Sequence, residues 1–74
     1  MAEEAVLRRE RQQELQRAID QLTPTLESVV TLRFAGDLTQ PEIAEVLKIP
    51  VGTVKSRLFH GLKKLREILD GGAR

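Results

Sequence analysis

The 74-residue chain contains no cysteine, tryptophan or tyrosine, and it has one histidine and two phenylalanines. Without cysteine the chain has no disulfide, no thiolate nucleophile and no cysteine-ligated metal site. It also lacks a phosphate-binding glycine loop and any cluster of acids beside a base. The sequence therefore predicts no catalytic residue, no cofactor or metal site and no small-molecule substrate, which means that we do not expect an enzyme.

Long hydrophobic segments are also missing. No apolar run is long enough to span a bilayer, and the charged start Met1-Ala2-Glu3-Glu4 lacks the apolar segment of a signal peptide. We therefore expect no membrane partner and a cytoplasmic location. A chain of 74 residues predicts one small domain, in which amphipathic helices bury a marginal core.

Charge is divided unevenly along the chain. Residues 1–47 hold five Arg against nine acidic residues, a net charge of −4, whereas residues 48–74 hold seven Lys or Arg against two acidic residues, a net charge of +5. A basic segment beside an acidic body suits a module that binds a polyanion, because Lys and Arg displace condensed counterions. A solvated helix face is the alternative explanation of the charge alone.

The first helix is predicted to pack only in its second half. Residues 1–14 are dense in charge and glutamine, which predicts an N-terminal extension that is either helical or frayed. The packed part is expected from about Glu10 to Leu22, since apolar residues recur there at helical spacing: Leu15, Ala18, Ile19 and Leu22.

A second helix is predicted from about Pro24 to Ala35. Thr23 is a favoured N-cap, and proline is tolerated in a first helical turn. Gly36-Asp37 is expected to end the helix. Its apolar positions are Leu26, Val29, Val30, Leu32 and Phe34.

Residues 38–43 carry the clearest local signal. Thr39 and Glu42 form a capping box, in which the threonine is the N-cap of a third helix, and Leu38 and Ile43 occupy the two positions of a hydrophobic staple. This helix must be short, because the residue before Pro50 is disfavoured in the α region.

A fourth helix that starts near Pro50 has two distinct faces. The predicted core stripe contains Val54, Leu58, Gly61, Leu62, Leu65, Ile68 and Leu69. Gly61 within this stripe predicts a bend or a close contact with the first helix. The opposite face offers small, cationic and aromatic side chains at the same spacing: Gly52, Lys55, Ser56, Phe59, His60 and Lys63.

A short capped helix, a tight turn and a longer helix with a basic outer face form a helix-turn-helix, whose second helix lies in the DNA major groove. Packing alone does not distinguish DNA from a protein partner. Lys55 and Ser56 could be solvated, and Phe59 could be a core aromatic. Arg33 and Arg57 could reach phosphate, or they could pair with Glu42 or Glu45.

The segment from Thr39 to Ala44, followed by Ile49-Pro50-Val51-Gly52-Thr53-Val54-Lys55-Ser56-Arg57-Leu58, resembles region 4 of bacterial sigma factors of the extracytoplasmic-function group. The resemblance extends over roughly residues 15–69. It implies an all-α, four-helix domain with a helix-turn-helix and no wing, which we place at residues 15–70. Residues 71–74 are expected to form a flexible tail.

The resemblance also implies partners and contacts. The domain would read the minus-35 element of double-stranded promoter DNA and dock on the RNA polymerase β-subunit flap, and an anti-sigma factor is a possible further partner. Base contacts fall on Lys55, Ser56, Phe59 and His60. Phosphate contacts are expected from three further residues: Gly52, Thr53 and Lys63.

One residue departs from the family pattern in a way that bears on affinity, and two alternative functions stay open. His60 stands where arginine is frequent, so a permanently charged fork is replaced by a ring and weaker affinity is expected. A module that binds the flap or an anti-sigma factor with little DNA binding is the first alternative. A helix-turn-helix domain of the response-regulator type is the second.

Overall fold

The computed structural model describes residues 2–72, which form four helices and no strand. The helices are α1 (Ala2–Asp20), α2 (Pro24–Phe34), α3 (Gln40–Leu47) and α4 (Val51–Gly72). The last helix contacts each of the other three. The predicted all-α, four-helix fold with a helix-turn-helix is therefore confirmed. No helix in this part of the chain is both long and apolar enough to cross a membrane.

The predicted extension and tail are helical where the structure describes them. The first helix is continuous from Ala2, and α4 continues through Gly71 and Gly72. The remaining residues of the two segments, Met1 at the start and residues 73 and 74 of the predicted tail, lie outside the described residues.

Only the C-terminal end of α1 enters the core. Ala18 and Ile19 are buried within the helix, and Leu22 is buried just after it. Leu15 was predicted to share this stripe, but it is 42% exposed. Burial within α1 begins only at Ala18. Leu15 lies about one helical turn before Ala18 and therefore outside the packed core.

The boundaries of α2 agree with the sequence pattern, but two details differ. Thr23 has the extended backbone of an N-cap, yet its side chain makes no capping hydrogen bond. Its carbonyl accepts instead from the Glu27 N–H at 2.8 Å. Phe34, predicted among the apolar positions, is 55% exposed, since it is the last residue of the helix and the buried residues are Val29 and Val30.

The core lies where α4 crosses the other helices. Its buried members are Ala18, Ile19, Leu22, Val29, Val30, Ile43, Val54, Leu58 and Leu65. Leu62 was predicted to belong to this core but is 42% exposed. The helix crosses α2 at Gly61 instead, where an added Cβ would lie 2.7 Å from Val30 Cγ2. The close contact of Gly61 is therefore with the second helix, and its expected contact with the first was wrong.

Gly61→Ala is expected to destabilise the fold by about 1 kcal/mol in urea denaturation. Overpacking against a buried side chain costs about 1–3 kcal/mol, which exceeds the gain of about 1 kcal/mol in helix propensity. In the double variant Gly61→Ala/Val30→Ala, the methyl group of the new alanine at position 61 fills part of the space left by the Val30 side chain. The combined loss should therefore be smaller than the sum of the single losses by about 1 kcal/mol.

Gly52→Ala is the matched control on the same helix. A Cβ at Gly52 meets no atom within 4 Å, so this variant should be as stable as the wild type or more stable. Equal stability of the Gly52→Ala and Gly61→Ala variants would contradict the close packing of α4 on α2.

Candidate nucleic-acid interface

A capping box sets the start of α3. The Glu42 N–H donates to Thr39 Oγ1 at 3.3 Å, and the Thr39 N–H donates to Glu42 Oε1 at 2.8 Å. Two otherwise unpaired N–H groups at the helix start are thereby satisfied. Ile43, the next residue, is fully buried, so the capped end of α3 is attached to the core.

The capping box also lowers the pKa of Glu42. The hydrogen bond from the Thr39 backbone N–H is the main cause, and the bond with the Thr39 side chain adds to it. A carboxyl whose pKa is lower in the folded state stabilises the fold above its unfolded pKa. This contribution is lost as the pH falls through the folded pKa.

We expect the wild type to lose stability relative to Glu42→Gln as the pH falls from the ordinary glutamate pKa of about 4.3. The glutamine can accept the same backbone bond without titrating, so it serves as the matched control. The measurement is thermal unfolding of both chains over a pH series. Parallel stability profiles of the two chains would contradict a role for the Glu42 carboxylate.

The turn between α3 and α4 is tight. Lys48 follows α3 in the left-handed conformation (φ 58°, ψ 45°), and the Ile49 N–H donates to the Ala44 carbonyl at 3.0 Å. Pro50 comes next, and α4 begins at Val51. The second helix of the helix-turn-helix is thus attached to the first by three residues.

The four residues predicted to contact bases all lie on the exposed side of α4. Lys55, Ser56 and His60 are exposed, and Phe59 is 65% exposed. The rings of Phe59 and His60 meet edge to face with centroids 5.5 Å apart. Because Val54 and Leu58 are buried, the helix presents this face to solvent, and Phe59 is not a core aromatic.

The three predicted phosphate contacts differ in their surroundings. Lys63 is exposed, as is Gly52, which has open space around it. The Thr53 N–H donates to the Pro50 carbonyl at 3.0 Å, so it is already paired, unlike the free N–H groups typical of a first helical turn. The polar group that Thr53 offers a ligand is its hydroxyl.

The two arginines that the sequence left open make no pair with Glu42 or Glu45. Arg33 pairs with Asp37 at 4.0 Å, and its guanidinium lies 5.8 Å from the centre of the Phe34 ring. Arg57 is half-buried and forms no ion pair with any residue between 2 and 72.

Two surface features escaped the sequence patterns. A recess of about 370 Å³ on α4 is lined by Phe59, Leu62, Lys63 and Arg66. A separate apolar groove of about 440 Å³ lies between α2 and α3, with lining residues Pro24, Glu27, Ser28, Thr31, Leu32, Val46 and Leu47. Leu62 and Arg66 follow Phe59 by three and seven residues, and this helical spacing could have indicated the recess from the sequence. The groove could not have been found in this way, because its shape depends on how two helices pack.

Fold and surface together define a helix-turn-helix domain with a basic, partly aromatic outer helix face. Residues 12–65 match the family described as Sigma-70, region 4. The chain therefore belongs to this family, as its resemblance to sigma factors predicted. The match favours this family over the response-regulator alternative.

Three curated relatives illustrate the similarity. The ECF RNA polymerase sigma factor SigW of Bacillus subtilis is 38% identical over 69 residues, 93% of this chain and 37% of the relative. The RNA polymerase sigma-H factor of Pseudomonas aeruginosa is 40% identical over 68 residues, 92% of the chain and 33% of the relative. The ECF RNA polymerase sigma-E factor of Escherichia coli K12 is 38% identical over 68 residues, 92% of this chain and 34% of the relative. The chain thus spans about a third of the length of these relatives.

Proposed function

We propose that this chain is the promoter-reading domain of a sigma factor, and that the outer face of α4 binds the minus-35 element in the major groove. The observation that carries the proposal is the exposed set of cationic, polar and aromatic side chains on the second helix of the helix-turn-helix. Phe59 and Leu62 are both exposed and line one recess, and adjacent exposed apolar side chains rimmed by polar ones are typical of an interface.

Each predicted base contact has a chemical role in this arrangement. Lys55 can donate to guanine O6 and N7, and Ser56 can donate or accept at a base edge. Phe59 can pack against a thymine methyl group. His60 can donate a ring N–H to a base edge or a phosphate. The N-terminal turns of the second helix are the part that reaches base edges in helix-turn-helix complexes.

Phosphate contacts would hold the helix in register. Gly52 lies in the first turn, where open space allows a close approach of the DNA backbone, and the positive end of the helix dipole favours an anion. Thr53 would contribute its hydroxyl and Lys63 its ammonium group. Such contacts position the domain without carrying sequence information.

Selection from a library of random duplexes tests the proposal. We expect the wild-type chain to enrich one short sequence motif, and Phe59→Ala to enrich it less or not at all. Phe34→Ala is the matched control, because Phe34 is 55% exposed but ends α2 and lies outside α4. This variant should enrich the same motif as the wild type. No enrichment by the wild type would contradict the proposed function.

We further propose that RNA polymerase docks on the groove between α2 and α3, through the β-subunit flap. The groove lining is largely apolar and shares no residue with α4, and Val46 at its edge is 56% exposed. An exposed apolar groove supports a protein partner rather than a polyanion. The docking surface would thus involve α2 and α3.

Val46→Asp is expected to reduce binding of an isolated flap domain at least tenfold, because it places a charge in an apolar contact. DNA binding should stay within twofold of the wild type. Val6→Asp is the matched control, since Val6 is similarly exposed but lies on α1, outside the groove. Equal loss in both variants would contradict this site. An anti-sigma factor that uses the same groove should compete with the flap.

A further inference from the structure

The recess on α4 continues the proposed DNA-binding face toward the C-terminal end of the helix. It lies between Phe59, Leu62, Lys63 and Arg66, of which Phe59 and Lys63 already belong to the predicted contacts. Leu62 is 42% exposed rather than part of the core. Arg66 is exposed and forms no ion pair with any residue between 2 and 72.

Helical geometry places these residues on one side of α4. At 100° per residue, Lys55, Phe59 and Arg66 fall within a narrow stripe, because steps of four and seven residues return close to the same direction. Leu62 and Lys63 flank the stripe on either side. Arg66 lies about 10 Å beyond Phe59 along the axis and about 16 Å beyond Lys55.

These lengths are comparable with the size of the major groove. The groove is about 12 Å wide and about 8.5 Å deep. A helix that presents Lys55 and Phe59 to base edges therefore carries Arg66 to the edge of the groove. The groups found there are the deoxyribose rings and phosphates of one strand.

We propose that the recess binds the sugar–phosphate backbone at the edge of the groove, and that Leu62 and Arg66 are further DNA contacts. Leu62 and Phe59 pack against a deoxyribose ring, while Arg66 and Lys63 donate to the adjacent phosphates. This inference rests on the proposed function and extends it by two residues. The recess itself carries no acidic residue.

The charged residues that line the recess favour DNA over a protein as its ligand. The lining combines two cations with two apolar side chains, and the recess is continuous with the face proposed to read DNA. A largely apolar protein segment fits the α2–α3 groove better, because that groove contains no cation and has one acidic residue, Glu27.

The test measures affinity for a short duplex carrying the selected sequence, and for a scrambled duplex, over a salt series. Arg66→Gln should make the log–log salt dependence shallower by about one unit on both duplexes, which is the signature of a phosphate contact. Leu62→Ala should weaken binding about fivefold, the factor for about 1 kcal/mol, without changing the slope. Urea denaturation of each variant checks that the chain is folded.

Two further variants serve as a control for Arg66→Gln and as a separate test of DNA binding by α4. Lys64→Gln removes a cation two residues before Arg66, on the side of α4 where Lys64 pairs with Glu67, and it should change the salt slope by less than half as much as Arg66→Gln. Lys55→Ala tests the proposed function independently of the recess.

If Arg66→Gln behaves like Lys64→Gln and Leu62→Ala binds like the wild type, while Lys55→Ala still weakens binding, the inference is overturned and the proposed function stands. In that case the recess would be assigned to a protein partner. If Lys55→Ala is also without effect, or if the folded wild type does not bind duplex DNA, both proposals fail.

Discussion

Replacing Phe59 with alanine is expected to weaken binding to the selected duplex about 30-fold. This factor corresponds to the loss of about 2 kcal/mol that is typical of an aromatic side chain at the centre of an interface. Because Phe59 is 65% exposed, its removal should leave the free energy of unfolding nearly unchanged. Lys55→Ala should weaken binding to a similar degree, since a good contact to guanine contributes about 1–3 kcal/mol. Fluorescence anisotropy with labelled duplex measures both effects.

The other phenylalanine of the chain provides the matched control. Phe34 is exposed to a similar extent, but it ends α2 and lies outside α4. Phe34→Ala should therefore bind DNA as the wild type does. Flap binding should survive in both the Lys55 and Phe59 variants. Loss of both partners from a folded Phe59 variant would show that the two surfaces are wrongly assigned.

Affinity for the duplex should also fall steeply with salt. If about four to six phosphates are neutralised, the log–log slope is roughly −3 to −6. Between 50 and 200 mM salt the affinity would then drop by roughly 60-fold to 4,000-fold. The basis of this expectation is the concentration of charge, because residues 48–74 carry a net charge of +5.

A neutral variant separates salt dependence from base recognition. Ser56→Ala removes a proposed base contact that carries no charge, so it should lower affinity while keeping the wild-type slope. A flat salt response of the wild-type chain would be incompatible with a phosphate-binding face on α4.

Local patterns in the sequence predict the helix boundaries well. The capping box of Thr39 and Glu42 requires only residues three apart, so it indicates the start of α3 without knowledge of the tertiary structure. Pro50 similarly limits α3, because its effect on the preceding residue is local. The same reasoning predicts the position of Thr23 before α2, but it does not predict whether the threonine side chain forms the capping bond.

The rotation of α4 about its axis is less accessible from sequence. Helical periodicity assigns Gly61 and Leu62 to the same broad apolar stripe, although they point 100° apart. Only the contact between Gly61 and Val30 shows which of them faces α2. Because Gly61 lies against α2, Leu62 is exposed and lines the recess beside Phe59. The sequence pattern wrongly assigns Phe34, an exposed apolar residue at a helix end, to the core for a related reason. Periodicity does not show where the neighbouring helix stops.

The outer face of α4 was predictable because it combines periodicity with composition. Lys55, Phe59 and Lys63 recur every four residues and are all exposed. The α2–α3 groove offers no comparable pattern, because its lining depends on how two separate helices approach each other. The surface that lies on one helix was therefore readable from the sequence, and the surface that requires packing was not.

An NMR titration of the wild-type chain with the selected duplex tests most directly whether α4 binds duplex DNA through its outer face. We expect the largest amide shift changes at four residues of α4, Lys55, Ser56, Phe59 and His60, and small changes at Thr31 and Val46 in the α2–α3 groove. Large changes confined to the α2–α3 groove, with none along α4, would contradict it.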